Sequence, residues 1–164
     1  MMARTFIGVG SNEGDRLACI SRAIQMLAEA PGARVVQMAT IIETEPLGGP
    51  PQGPYLNTVI ELETSLSPPE LLEQLQASER ALGRAPSATR WAARPIDLDL
   101  LLYEGQVVRE PGLDVPHPRL HERRFVLEPL AQLAPDVRHP GLGLTMAELL
   151  ARLPAPEPAF WERF

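Results

Sequence analysis

Asp97 and Asp99 stand one residue apart in Pro95–Tyr103, a run whose alternation predicts a strand. Residues i and i+2 of a strand point to one face, roughly 6.6 Å apart along it. Ile96, Leu98, Leu100 and Leu102 then form the opposite, buried face. Two carboxylates side by side offer hard oxygen ligands to one or two Mg²⁺ ions, which complete their shells with water and phosphate oxygens. Two surface acids in salt bridges would leave the same pattern.

Just upstream lie Arg84, Arg90 and Arg94, in a polar stretch that leads into the acid-bearing strand. Guanidinium forks bind phosphate in bidentate fashion, and metal with arginine is a common way to neutralise a polyphosphate. Trp91 among them could stack on a flat ring or anchor the stretch in the core. Tyr55 and Asn57 share a face of another predicted strand, where an aromatic wall and an amide suit a flat heterocycle with a hydrogen-bonding edge. His117 sits between Pro116 and Pro118, which restrict the backbone around it. A phosphate contact shared with Arg123, or a capping role, suits it better than metal ligation. Gln76 and Glu79 share a helix face and, taken alone, read as solvated.

Composition narrows the chemistry. All 15 basic residues are Arg and none is Lys. A Walker-A loop and a Schiff-base enzyme both require Lys, so both are excluded. The net charge of −6 argues against a general nucleic-acid binder. Its distribution is uneven: residues 1–79 carry four Arg against ten acids, whereas 80–124 carry eight Arg against six. That is compatible with a local anion site in an acidic protein, or with a salt-bridged surface.

No apolar run approaches the ~20 residues of a membrane helix, and no secretory signal is read. Cys19 is the single cysteine, so no intrachain disulfide can form, and a cytoplasmic protein is expected. The 164 residues suit one domain, 1–164.

The elements that must position these groups follow from pattern. Thr5–Gly10 reads as a strand, followed by the turn-rich Ser11–Asp15. Leu17, Ile20, Ile24 and Leu27 recur at helical spacing up to Pro31-Gly32. Residues 34–44 form a second strand, 46–54 a loop rich in Pro and Gly, and 55–64 a third strand. Ser67-Pro68-Pro69-Glu70 is a capping box that opens a helix lined by Leu71, Leu72, Leu75 and Leu82. Glu104-Gly105 predicts a hairpin from the fourth strand into 106–109. Beyond it, helical structure is expected around Leu120–Leu133, interrupted at Pro129, and a last helix from Thr145 with Glu148 completing a second capping box. The order β-α-β-β-α-β with added helices predicts an α+β, ferredoxin-like antiparallel sheet sandwich.

These segments resemble the 6-hydroxymethyl-7,8-dihydropterin pyrophosphokinase family over roughly residues 5–137. Gly8-Val9-Gly10-Ser11-Asn12 is similar to its opening signature. Thr44-Glu45-Pro46-Leu47-Gly48 with Gln52 and Tyr55-Leu56-Asn57 resembles its pterin-binding stretch. Arg90-Trp91-Ala92-Ala93-Arg94-Pro95-Ile96-Asp97-Leu98-Asp99 resembles its signature sequence. Val115-Pro116-His117-Pro118, Arg123 and Phe125 resemble the part that completes the nucleotide site.

The resemblance implies pyrophosphoryl transfer from ATP to the pterin hydroxymethyl group by a monomer, with AMP leaving and two Mg²⁺ held by Asp97 and Asp99. It implies that Arg84 and Arg94 contact the phosphates, with Arg90 and Trp91 in the same loop. Gln76, Glu79, Leu100, His117, Pro118 and Arg123 would surround ATP. Thr44, Leu47, Tyr55, Asn57, Trp91 and Phe125 would enclose the pterin. The proton acceptor stays open between Asp97 and a metal-bound water.

The sparse apolar anchors of 84–94 lead to the expectation of a lid that closes over both substrates. Four residues depart from the family pattern: Pro86 where a basic residue is common, Ala92-Ala93 where Gly-Pro is common, and Glu45 where a small or apolar residue is usual. A non-catalytic binding module of the same fold is the main rival, and a D-x-D glycosyltransferase a second.

Overall fold

The structure, a computed structural model, describes residues 2–44, 53–83 and 95–154. Nine-residue β1 (Ala3–Ser11) leads into α1 (Arg16–Glu29), whose start is fixed by Asp15 accepting the Ala18 N–H through its carboxylate at 3.1 Å. β2 (Ala33–Met38), β3 (Ile42–Thr44) and β4 (Tyr55–Thr64) follow, then α2 (Pro68–Ala81) and β5 (Asp97–Tyr103). The capping box expected at Ser67 and Glu70 is present, as is the one at Thr145 and Glu148. Replacing Ser67 by Ala would cost about 1 kcal/mol.

The strands form an antiparallel sheet in the order β2-β4-β1-β5, with β3 extending beside β4. Treating β2 and β3 as one interrupted strand, this is the ferredoxin-like arrangement that the element order predicts. The single strand expected over 34–44 is broken at Ala39–Ile41. Ala39 stays tied to β4 there: its N–H donates to the Val59 carbonyl and its own carbonyl accepts the Thr58 hydroxyl.

Helices α1 and α2 cover one face, where Ile7, Val9, Ile60, Leu62, Leu98 and Leu100 meet Ile20, Leu27, Leu71 and Leu75. Each fully buried Leu or Ile contributes about 1.5–3 kcal/mol. The other face carries α3 (Arg124–Leu133) and α4 (Met146–Ala151), packed on Phe6, Val59, Leu101 and Leu102. The helices added after the β-α-β-β-α-β core thus close a second core rather than thickening the first.

Three local expectations are corrected. The residues after Glu104-Gly105 do not return onto β5: β6 (Val108–Glu110) pairs instead with β7 (Leu113–Val115). Pro111-Gly112, with Gly112 at φ 78°, is the turn that makes this hairpin. Nor does Pro129 interrupt α3, which runs through it. Its missing N–H would have bonded the carbonyl of Phe125, in the first turn, so only one intrahelical bond near the end is lost, and the ring is buried.

The third correction concerns the alternation along β5, which breaks late. The β1–β5 register slips between Phe6 and Ile7, leaving Leu101 as the extra residue of a bulge. Leu102 therefore joins the α3 face instead of following Leu98 and Leu100.

Candidate active site

The site-bearing face is set by register. Gly10 of β1 lies opposite Asn57 of β4 on one side and opposite Asp97 of β5 on the other. One pair of residues back, Gly8 lies between Val59 and Asp99. Val59 and Leu101 pack on the α3 side, so the i±2 positions Tyr55, Asn57, Asp97 and Asp99 share that face. With strands about 4.8 Å apart, Asn57 and Asp97 stand roughly 10 Å apart across Gly10. A strand glycine normally weakens a sheet, but here two of them floor a trough between an amide and two carboxylates.

The trough has no room for a side chain at Gly10. A Cβ there would lie 2.7 Å from Asn57 Oδ1 and 3.6 Å from Tyr55 Cδ1. Asn57 Oδ1 therefore lies over β1. Its Nδ2 donates to the Thr44 hydroxyl oxygen at 2.5 Å, which ties the amide to β3. Thr44 reaches it because β3 pairs with β4 in the register Thr44–Tyr55 and Ile42–Asn57. Tyr55 and Asn57 share a face, as their spacing predicts, and the β3–β4 register adds Thr44 to make one half-buried polar corner.

On the other side, the Leu101 carbonyl accepts the His117 N–H at 2.8 Å. Leu101 is the bulge residue, and its carbonyl tethers the segment after the cis Val115–Pro116 bond to the acid-bearing strand. The His117 ring accepts the Arg119 N–H on Nδ1 at 3.2 Å, which leaves Nε2 as its donor. Burial, with help from Arg123, lowers the His117 pKa below the ordinary 6.5, against a smaller opposing pull from Asp97. The imidazole is neutral at pH 7 and offers an N–H, which fits an anion contact better than a base.

Arg123 closes this side. Its guanidinium carbon lies 5.7 Å from the centre of the half-buried Phe125 ring, a cation–π placement. Burial and then the neighbouring Arg119 lower its pKa, while Asp99, Glu122 and Asp97 oppose them.

Gln76, Glu79 and Leu100 are not in the trough. Leu100 is buried in the α1–α2 core, on the reverse face of β5. Gln76 is exposed on α2. Buried Glu79 accepts the Leu98 N–H at 2.8 Å. That carboxylate holds the free edge of β5 between the two acids, a bracing role that helical spacing alone did not reveal. Pro118 is exposed beside His117. Leu47, Arg84, Arg90, Trp91 and Arg94 lie outside the described residues. So do Glu45, Gln52, Pro86 and Ala92-Ala93, and with them the expected lid.

The donor chemistry fits Mg²⁺. Asp97 and Asp99 present hard oxygens to one face, and among the described residues no group of three His, Cys, Asp or Glu could hold a metal by itself. An ion held here would complete its shell with water and substrate oxygens, as Mg²⁺ does. Gly8 and Gly10 enter the sequence reading only through the opening signature Gly8-Val9-Gly10-Ser11-Asn12, and their place between the amide and the acids comes from the register. In the sequence its signal is two glycines alternating on one face of a predicted strand.

This α+β frame matches solved structures. A crystal structure of Plasmodium falciparum HPPK-DHPS aligns with a TM-score of 0.74 at 13% identity, over 93% of this chain and 45% of that one, a likeness of fold. The family model described as 7,8-dihydro-6-hydroxymethylpterin-pyrophosphokinase (HPPK) matches residues 6–135.

The protein named 2-amino-4-hydroxy-6-hydroxymethyldihydropteridine pyrophosphokinase of Methylorubrum extorquens is 43% identical over 152 residues, which covers 93% of this chain and 94% of that protein. The protein of the same name from Bacillus subtilis is 42% identical over 132 residues, 80% of this chain and 78% of that one. The chain belongs to the 7,8-dihydro-6-hydroxymethylpterin-pyrophosphokinase family.

Proposed function

We propose that this chain transfers the terminal pyrophosphate of ATP to the hydroxymethyl oxygen of 6-hydroxymethyl-7,8-dihydropterin and releases AMP, a step of folate biosynthesis. The observation that carries this reading is the cross-sheet row Asn57–Gly10–Asp97. It sets a heterocycle-binding amide roughly 10 Å from a metal-binding carboxylate, with a glycine that carries no side chain between them. The names of the relatives agree with it and lend nothing to a non-catalytic module.

In this reading Thr44, Leu47, Tyr55, Asn57, Trp91 and Phe125 enclose the pterin. Asn57 takes the hydrogen-bonding edge of the ring, and Tyr55 and Phe125 its faces. Gln76, Glu79, Arg84, Arg90, Trp91, Arg94, Leu100, His117, Pro118 and Arg123 surround ATP. Leu100 would do so through its backbone at the free edge of β5, because its side chain is only 5% exposed.

Asp97 and Asp99 would hold two Mg²⁺, which would supply charge neutralisation at the phosphates. The pterin oxygen forms its bond to the β-phosphorus as the bond to the AMP oxygen breaks in line, and the hydroxymethyl proton passes to Asp97 or to water. Arg84, Arg94, the His117 Nε2–H and Arg123 stabilise charge on the transferred group, so positioning and electrostatics supply most of the rate. The enzyme works as a single domain, as a monomer, in the cytoplasm. Among the described residues no helix is long and apolar enough to cross a membrane.

The test is incubation with ATP, Mg²⁺ and the dihydropterin. Stoichiometric AMP and pterin pyrophosphate are expected. ADP instead of AMP, or no turnover, would refute the reading.

A further inference from the structure

Arg16 is the first residue of α1, where the helix macrodipole favours an acid and disfavours a cation. No acidic residue occupies the first turn of this helix. Local helix energetics therefore do not account for an arginine here, but its contacts do. Arg16 Nη1 donates to the Pro54 carbonyl at 2.9 Å, and the same nitrogen pairs with Glu43 Oε2 at 3.0 Å. Asn12, on the turn before α1, adds a longer Nδ2 contact of 3.4 Å to the Gly53 carbonyl.

Both targets of the guanidinium bear directly on the polar corner. Glu43 immediately precedes Thr44, and Pro54 immediately precedes Tyr55. β3 spans only three residues, and Thr44–Tyr55 is its terminal pair with β4. A short edge pairing is weakly specified by its own ladder, and a slip of one residue would turn Thr44 to the other face. Asn57 would then lose the acceptor that holds its amide over Gly10. A single charged group that holds both strands where they begin and end prevents such a slip.

We propose that Arg16 is a positioning residue for the pterin half of the site, fixing the β3–β4 register so that Thr44 locks the Asn57 amide. Arg16 touches neither substrate and acts through Glu43 and Pro54. The inference rests on the dihydropterin reading of that corner and adds a residue to it. It predicts an asymmetric defect: dihydropterin recognition suffers, whereas the nucleotide half does not, because that half is built on β5 and the His117–Arg123 segment.

The experiment measures steady-state KM for each substrate, and direct binding of an ATP analogue and of dihydropterin, for wild type, Arg16→Ala, Arg16→Lys and Glu43→Gln. Arg16→Ala should raise the dihydropterin KM about tenfold, the worth of one charge-assisted hydrogen bond, and more than it lowers kcat. ATP-analogue affinity should stay within about twofold. Arg16→Lys keeps the charge and should recover part of the loss. Glu43→Gln leaves the Pro54 bond in place and should cost less than Arg16→Ala.

Unchanged dihydropterin affinity in Arg16→Ala, or equal loss of both ligands, would overturn the inference while leaving the enzymatic reading intact. A wild-type chain that binds ATP analogue but no dihydropterin would overturn both.

Discussion

The two halves of the trough are built on opposite electrostatic plans. The corner of Thr44, Tyr55 and Asn57 is neutral and held by one short hydrogen bond between uncharged side chains. The segment from His117 to Arg123 instead crowds cations. Burial and Arg119 push the Arg123 pKa down, and burial and Arg123 do the same to His117. A neutral heterocycle asks for fixed geometry, which the first half supplies before any ligand arrives. A polyphosphate asks for charge, and the second half keeps its positive groups close together at some cost until an anion relieves it.

The largest effect should come from the acids that link the halves. Asp97→Asn or Asp99→Asn should lower AMP production at least ~100-fold, as losing one electrostatic catalytic contact does. Near-normal turnover by both variants at ordinary Mg²⁺ would dissolve the comparison by removing the metal from it. Binding of dihydropterin should persist in each, which measures the neutral half separately.

That half is tested next by Gly10→Ala and Asn57→Ala. The added methyl would meet Asn57 Oδ1 at 2.7 Å, so the amide must turn away from β1 and give up its bond to Thr44. Asn57→Ala removes the amide altogether and should weaken dihydropterin binding by about 1–3 kcal/mol. Gly10→Ala should approach that loss with Asn57 still present. Calorimetry should find ATP-analogue affinity little changed in both, and a parallel loss of the two ligands would speak for misfolding.

The charged half is tested by Arg123→Gln, which should weaken ATP-analogue binding by about 1.5–3 kcal/mol, the range for a hydrogen bond to a charged group. Removing a half-buried cation from beside Arg119 should leave the thermal midpoint where it was or raise it. A drop of several degrees would mean that Arg123 holds the fold together and that the crowding is not costly.

How much of this was legible in the sequence differs between the halves for the same physical reason. Asp97 and Asp99, and Tyr55 and Asn57, announce a shared face through period-two spacing alone, and the sheet bears that out. Register is a long-range property, so nothing in the spacing set Asn57 and Asp97 on either side of Gly10. The bulge that aims the Leu101 carbonyl at His117 was equally hidden, because one extra residue in a run of leucines leaves no mark. Glu79 looked like a solvated helix residue, since only the fold shows the unpaired Leu98 N–H that it meets.

The smallest effect is set by pH and should touch only the charged half. His139, on the loop behind the His117–Arg123 segment, is 6% exposed, and its ring lies edge-on to His121 at 6.2 Å. Its Nδ1 accepts the Gly141 N–H at 3.1 Å and the Leu142 N–H at 3.0 Å, so protonation there would break both bonds. Burial, then His121 and Arg109, lower its pKa below 6.5. In the unfolded chain it takes up a proton near 6.5, before the folded protein does. The stabilisation is therefore complete above pH 6.5 and is lost as pH falls toward the folded value, by no more than about 1.4 kcal/mol per pH unit for one proton. His117 shifts in the same direction, so the comparison must be between wild type and His139→Ala. The variant should start less stable at pH 7.5 and lose less on going to pH 5.5. Amide exchange should quicken around 139–144 as the pH falls, while β3 and β4 near Thr44 and Asn57 keep their protection, because neither side chain titrates in that range. Equal loosening of both regions would show that the two halves share one electrostatic plan after all.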